Sequence, residues 1–248
     1  MRHFFSTFSE TTDTLSPEQT KGSDITQYRH EWKHEISNCD RLILHQRLQA
    51  IMEPDHHAVN GTYLIRSLYF DTPADTALRE KLDGVSRREK FRIRCYNHDF
   101  SLIHLEKKSK LAGLGCKESA DLTQSEAEKI IAGDLLWMAQ SDRPLVREFY
   151  SKMQTRQLRP KTIVDYIREP FVYAPGNVRV TIDYDIRTGL RSTDFLDPHC
   201  PTIPVPDNPI LLEVKWDDFL PDIIRSAVGL ESRRASAFSK YAQCRRYG

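Results

Sequence analysis

Lys90, Arg92 and Arg94 recur at every second position, with Phe91, Ile93 and Cys95 between them. The same period places His104, Glu106 and Lys108 in one row after Leu102, and Arg179, Thr181, Asp183 and Asp185 in another, between Val178, Val180, Ile182 and Tyr184. Glu213 and Lys215 alternate with Leu212, Val214 and Trp216, and Glu31, Lys33 and Glu35 alternate around Trp32. Successive side chains of a strand point to opposite faces, so each run carries one charged row and one mainly apolar row. Arginine presents a planar fork matched to phosphate oxygens and lysine a compact point charge. Strands of this kind closed into a barrel would enclose a cationic lumen suited to an extended phosphate polyanion.

The competing explanation is an ordinary antiparallel sheet with its charged face in water. Two features argue against it. Arg and Glu/Lys pairs recur at strand centres, where solvent faces usually carry Ser, Thr and mixed polar residues. The apolar faces also need covering, and the chain supplies amphipathic helices for that purpose. The expected architecture is therefore α+β: an antiparallel β-barrel tunnel with charges inside and helices outside.

Composition narrows the function. At 248 residues, with 39% apolar and 29% charged residues, the chain can bury a core yet stays wet. A formal net charge of +1 gives no general attraction to nucleic acid, so any cationic site is local and offset by acids elsewhere. Cys39, Cys95, Cys116, Cys200 and Cys244 are odd in number, widely spaced and form no C-x-x-C pair, which argues against a disulfide framework and a zinc site. No stretch reaches the length of a membrane span, and residues 1–10 have no extended apolar core of a leader. The expected location is a reducing, cytoplasmic compartment.

Residues 1–26 lack apolar periodicity and read as a disordered tail, leaving residues 27–248 as one domain. A strand over 27–36 is followed by Ser37 and Asp40 at capping-box spacing, opening a helix that carries Leu42, Leu44, Leu48 and Met52. A second strand covers 62–71 and a short helix 75–82. Strands around 90–95 and 102–108 form a hairpin through Asn97-His98-Asp99, after which Gly113 and Gly115 mark a loop. Thr123 and Glu126 cap a helix stopped by Gly133, and Pro144 starts a longer one carrying Leu145, Phe149 and Met153. Strands follow at 161–168 and 177–187, separated by Pro170, Pro175 and Gly176. A five-proline loop over 197–209 precedes a strand over 210–216. Pro221 opens a short helix, and Ser232 caps the last one, which carries Phe238, Lys240 and Tyr241.

In this order the motifs resemble the polyphosphate polymerase domain of the vacuolar transporter chaperone (VTC) family, a branch of the triphosphate tunnel metalloenzymes. The carrying segments are Glu31-Trp32-Lys33, Ser67-Leu68-Tyr69-Phe70-Asp71, Lys90 to Tyr96, Leu105 to Lys108, Tyr166 to Glu169, Val178 to Asp183, Leu212 to Lys215 and Phe238 to Tyr241. The resemblance implies transfer of the ATP γ-phosphate to the end of a growing polyphosphate, with a divalent metal, Mn²⁺ or Mg²⁺. By motif, Lys33, Arg92, Arg94, Lys108, Arg168, Arg179 and Lys240 match phosphate-binding positions and Glu213 the metal-binding carboxylate. Lys215 and Lys117 extend the basic path, and Glu106 is either a second metal ligand or a salt-bridge partner. ATP and inorganic polyphosphate are the implied partners, without nucleic acid; a membrane protein that carries the product away is left open.

Three departures bear on this. His34 replaces an aromatic common in the family, and Ala237 stands where some members have a second basic residue, three before Lys240. The first strand reads E-x-K-x-E, where the cyclase and thiamine-triphosphatase branch has E-x-E-x-K. Alternatives of the same fold are a tripolyphosphate or nucleoside triphosphate hydrolase and a non-catalytic polyphosphate-binding module. His56-His57 lacks further ligand spacing and reads as surface, and Asp183 with Asp185 as strand-end turn residues in preference to a second acidic cluster.

Overall fold

The computed structural model describes residues 29–111, 114–229 and 237–246; the tail over 1–26, the loop reading of Gly113 and the cap at Ser232 lie outside them. Strand β1 (His30–Ile36) leads into helix α1 (Asn38–Gln49), followed by β2 (Glu53–Pro54), β3 (Tyr63–Asp71), α2 (Thr76–Leu82) and the hairpin β4 (Arg87–Tyr96) and β5 (Asp99–Leu111). Next come β6 (Leu114–Leu122), α3 (Gln124–Ala132), α4 (Pro144–Thr155), β7 (Arg159–Tyr173) and β8 (Val178–Thr188). The described chain ends with β9 (Ile203–Pro204), β10 (Ile210–Trp216), α5 (Asp222–Val228) and α6 (Lys240–Cys244). No helix among the described residues is long and apolar enough to cross a membrane.

The strands form a curled antiparallel sheet in the order β1-β10-β8-β7-β3-β4-β5-β6, with β2 on β7 and β9 on β8. Its two outer strands meet through an isolated bridge between Arg29 and Gly115, which turns the curl towards a tunnel. The β4–β5 turn is the two-residue Asn97-His98, with φ 51 and 55. Two successive left-handed residues match the twist of the flanking strands, so this short turn fixes the register.

Local signals explain the helices. Ser37 and Thr123 accept from the backbone N–H groups of Asp40 and Glu126, and those carboxylates accept in return from the cap N–H groups. Gly133 closes α3 at φ 84. The apolar strand faces turn outwards onto these helices. Phe91, Ile93, Ile103 and Leu105 pack on Ile130, Val146, Phe149 and Met153, while Val180, Ile182, Leu212 and Val214 pack on Leu44, Leu48, Ile224 and Val228.

Several expectations are corrected here. Leu42 is 65% exposed, because the helix face set by Leu44 and Leu48 points elsewhere. Gly115 lies in strand β6, whose polar sequence hides it; the hairpin partner β5 supplies its pairing. β7 continues through Pro170 to Tyr173, and the Pro170 carbonyl accepts from Asp55 N at 3.2 Å. The described part of the last helix starts at Lys240 with Ser239 as its cap, so Phe238 precedes it.

Phe149 is fully buried, stacked on Phe91 at 5.0 Å and edge-on to Phe70 at 5.0 Å. It ties α4 to the outside of β3 and β4. Phe149→Ala is expected to lower the unfolding free energy by about 3–5 kcal/mol, read from the midpoint of a urea titration; a loss below about 1 kcal/mol would show that this helix does not brace the sheet.

Candidate tunnel site

The register decides which rows share a face. Arg92 lies opposite Tyr69 on β3 and Glu106 on β5, Arg94 opposite Ser67 and His104, and Lys90 opposite Lys108. Across the sheet, Lys33 lies opposite Glu213, which lies opposite Thr181, while Glu31, Lys215 and Arg179 form the neighbouring row. These are the concave-face rows, the residues between them being those packed on the outer helices.

The first cluster surrounds Glu106. Arg92 donates to its Oε2 through Nε at 2.7 Å and Nη2 at 2.6 Å, Arg94 Nη1 stands 3.8 Å away, and Lys117 Nζ is 2.6 Å from Oε1. Arg92 Nη1 donates to the Tyr69 hydroxyl at 2.7 Å; Arg94 donates to Ser67 Oγ at 3.0 Å and to the Tyr166 hydroxyl at 3.1 Å. Burial raises the pKa of Glu106, but Arg92, Arg94 and Lys117 outweigh it and hold the carboxyl well below its usual range. Cations thus engage both oxygens of Glu106, as they do those of Glu213.

The second cluster surrounds Glu213, which is 5% exposed. Lys33, Lys240 and Lys215 ammoniums lie 3.0, 3.2 and 3.3 Å from its oxygens, and Arg168 Nη2 at 4.0 Å. Arg168 grips Asp183 with two bonds of 2.6 and 2.7 Å, and Lys240 reaches the same carboxylate at 2.6 Å. Glu31 joins Lys108, Lys215 and Lys33 at 3.5, 3.6 and 3.9 Å. Burial pushes both glutamates up, yet the lysines dominate: Glu31 falls to about 2 and Glu213 is held well below the usual carboxylate range.

Asp183 therefore corrects the turn-residue reading. It is fully buried at the centre of β8, whereas Asp185 leaves the row at φ 46. Arg179 stands apart from Glu213, bonded to Asp55 at 2.8 Å and to the Tyr63 hydroxyl at 2.6 Å. Lys107 points to the outer face, where it meets Glu148 at 2.7 Å and Glu118 at 3.1 Å. His56 and His57 are exposed, in line with the surface reading, and their ring nitrogens and an Asp55 oxygen lie within 4.8 Å of one another.

Sequence reasoning left Lys90, Tyr69, Tyr166 and Lys81 unassigned. Tyr166 joins the two clusters, with Lys240 Nζ 4.7 Å, Arg168 5.4 Å and Arg94 5.9 Å from its ring centroid. Tyr69 stacks on Tyr241 of α6 at 4.8 Å, and Arg92, Lys90 and Arg94 overcome its burial to bring its hydroxyl down to about 7. Cross-strand position relative to the arginine rows was the signal for both tyrosines. Over Ala237, Lys81 Nζ donates to the carbonyl at 2.6 Å, so α2 brings a cation to the position where the basic side chain is missing.

Glu213, Glu31 and Asp183 are oxygen donors of the kind a hard ion takes. Their oxygens are held here by lysines and Arg168, and among the described residues only Asp55, His56 and His57 bring three ligand atoms within 4.8 Å of one another. The Thr181 hydroxyl, 2% exposed and directly opposite Glu213, is buried without a hydrogen-bond partner.

The curled antiparallel sheet flanked by helices is a fold also found among solved structures. A Hippeastrum protein described as an adenylyl cyclase candidate with a dominant triphosphatase activity superposes with a TM-score of 0.51 at 15% identity, over 88% of this chain and 95% of its own. A Bacillus halodurans protein described as an adenylate cyclase gives 0.48 at 16% identity, over 77% and 81%. The triphosphatase of the mimivirus capping enzyme gives 0.37 at 12%, over 82% and 87%. No functionally curated protein matches the sequence. The chain belongs to the VTC domain family, whose pattern matches residues 28–247.

Burial and the neighbouring cations Lys108, Arg92 and Lys33 lower Lys90 to about 8; burial, Lys215 and Lys33 do the same to Lys108. The unfolded chain therefore binds more protons than the folded one above pH 8, and stability rises with pH from there towards the ordinary lysine value. Anion affinity runs the other way, because the Tyr69 phenolate forms as pH passes about 7 and the ammoniums are lost as it passes about 8. Tripolyphosphate binding by titration calorimetry is expected to weaken by at least about tenfold between pH 7 and 9.5, as charge-assisted contacts are lost. The Lys90→Arg/Lys108→Arg variant should flatten that profile; an equally steep profile would remove these two lysines from the anion site.

Proposed function

We propose that this chain is a metal-dependent polyphosphate polymerase, which transfers the γ-phosphate of ATP to the end of a polyphosphate chain held in the tunnel. The observation that carries the reading is the convergence of Lys33, Arg92, Arg94, Lys108, Arg168, Lys215 and Lys240 on one concave face, with every inner carboxylate already ion-paired. Phosphoryl transfer asks little covalent help from a protein beyond in-line positioning and charge neutralisation.

The nucleophile in polymerisation is a terminal phosphate oxygen, which is already anionic. Its attack forms the new P–O bond to the γ-phosphorus and breaks the bond to the β-phosphate oxygen, releasing ADP, with no proton to remove. Water, the nucleophile of the rival hydrolase, must lose one. Glu106, Glu213 and Asp183 are held ionised by their cations and so are weak bases. Polymerisation also agrees with the VTC family and with the E-x-K-x-E order of β1.

In this reading Arg92 and Arg94 grip phosphate oxygens from the β4 side and Lys33, Lys215, Lys240 and Arg168 from the β10 side. An arriving anion exchanges with Glu213 and Glu31 for their lysines, which leaves carboxylate oxygens to hold Mn²⁺ or Mg²⁺. Held by Glu213 and Glu31, that ion would neutralise charge developing on the phosphate.

Incubating the protein with ATP and Mn²⁺ and resolving products by chain length tests the proposal. The expected products are ADP and chains longer than triphosphate; orthophosphate released in step with ATP loss, with no long chains, would establish the hydrolase instead. Binding without turnover would leave a sensor. Arg92→Ala or Arg94→Ala should cost about 1.5–3 kcal/mol of binding and lower polymer yield. Glu213→Gln should weaken Mn²⁺ dependence while nucleotide binding partly survives; unchanged dependence would shift the metal to another inner carboxylate, Glu106 first, then Glu31 or Asp183.

A further inference from the structure

The pairing of β3 with β4 stops at Phe70–Phe91, yet β4 and β5 continue pairing out to Arg87–Leu111. The hairpin therefore overhangs β3 as an arm, and the face it shares with Arg92 and Arg94 carries two like-charge pairs in succession. Lys90 lies directly opposite Lys108, and Arg88 directly opposite Lys110. Like charges facing one another across strands are destabilising. Deeper cations have carboxylate partners: Arg92 has Glu106, Lys33 has Glu213 and Arg168 has Asp183.

The arm is different. Among the described residues, Arg88, Lys90 and Lys110 make no ion pair with a carboxylate, and Arg88 instead donates to the Val85 carbonyl. Nearby acids are engaged elsewhere: Glu89 turns outwards to Lys152, Asp217 holds Arg29 at 2.7 Å, and Glu31 binds the tunnel lysines. Glu80 feels Arg88 but makes no ion pair with it. From α2, Lys81 adds a further cation, its pKa lowered by burial and by Arg88, Lys110 and Lys33 around it.

We propose that the inner face of this arm, with Arg88 and Lys110 at its outer end, is a track for a long phosphate polyanion, holding the part of the chain that lies beyond the reaction centre. The inference rests on the polyphosphate reading above. Same-face residues are about 6.8 Å apart along a strand, so Arg94, Arg92, Lys90 and Arg88 form a continuous row of about 20 Å. That is longer than a tripolyphosphate needs. A short ligand is held by the inner clusters alone, and a long one reaches the arm as well.

The distinguishing experiment compares tripolyphosphate with long-chain inorganic polyphosphate, by equilibrium binding across a salt series, in the wild type and in the Arg88→Gln/Lys110→Gln variant. Both side chains are half-exposed, and a melting temperature no lower than that of the wild type is the check on the variant's fold. The wild type should bind the long chain more tightly. The variant should lose about tenfold for the long chain, with the salt slope reduced by about 2, and keep tripolyphosphate affinity. Equal loss for both ligands, no loss for either, or no preference in the wild type would overturn the track. Product analysis with ATP is a separate assay, so a hydrolase outcome there would sink the polymerase reading without deciding whether the arm selects long chains.

Discussion

Mutual repulsion among buried cations governs this structure. Two unit charges about 6 Å apart at an effective dielectric near 20 repel by roughly 3 kcal/mol, and the concave face of the sheet gathers more than a handful of them. The fold tolerates this by interleaving acids: Glu106 between Arg92 and Lys117, Glu213 among Lys33, Lys215 and Lys240, and Asp183 between Arg168 and Lys240. In the proposed reading, a bound phosphate would compete with these acids for the same cations.

That balance accounts for the parts around the tunnel. The outer helices bury the apolar faces, so every charged row must turn inwards; a one-residue slip in any strand would reverse both faces. Helix α6 delivers Lys240 into the gap between Asp183 and Glu213, and it is anchored beside them by Tyr241, which stacks on Tyr69 and donates to Asp71 at 2.8 Å. Neutralisation is uneven, however. Around Glu213 each cation has a carboxylate within 4.0 Å although cations outnumber acids; along the β4–β5 arm Lys90 has none among the described residues, and Lys90 and Lys108 release protons more readily.

Alternation made the inward rows legible from the sequence, because a period of two leaves no choice once one face is apolar. The caps at Ser37, Thr123 and Gly133 were equally local and held. What stayed hidden was set by partners far along the chain. Strand β6 has a polar, glycine-containing sequence and exists because β5 pairs with it. Asp183 looked like a turn residue until Arg168 and Lys240 were placed against it from other strands and from α6. Lys90, in the same row as two assigned arginines, owes its altered proton affinity to Lys108 across the hairpin and Lys33 across the tunnel. Lys81 approaches Ala237 from a helix more than a hundred residues away in sequence.

The central claim is that phosphate enters by exchanging with these acids for their cations. A crystal structure with tripolyphosphate and Mn²⁺ tests it directly. The account expects phosphate oxygens bonded to Arg92, Arg94, Lys33 and Lys240, with the 3.0 Å Lys33–Glu213 contact broken and Glu213 turned to the metal. Tripolyphosphate bound on the outer surface, with the Lys33–Glu213 and Arg92–Glu106 pairs intact, would contradict it.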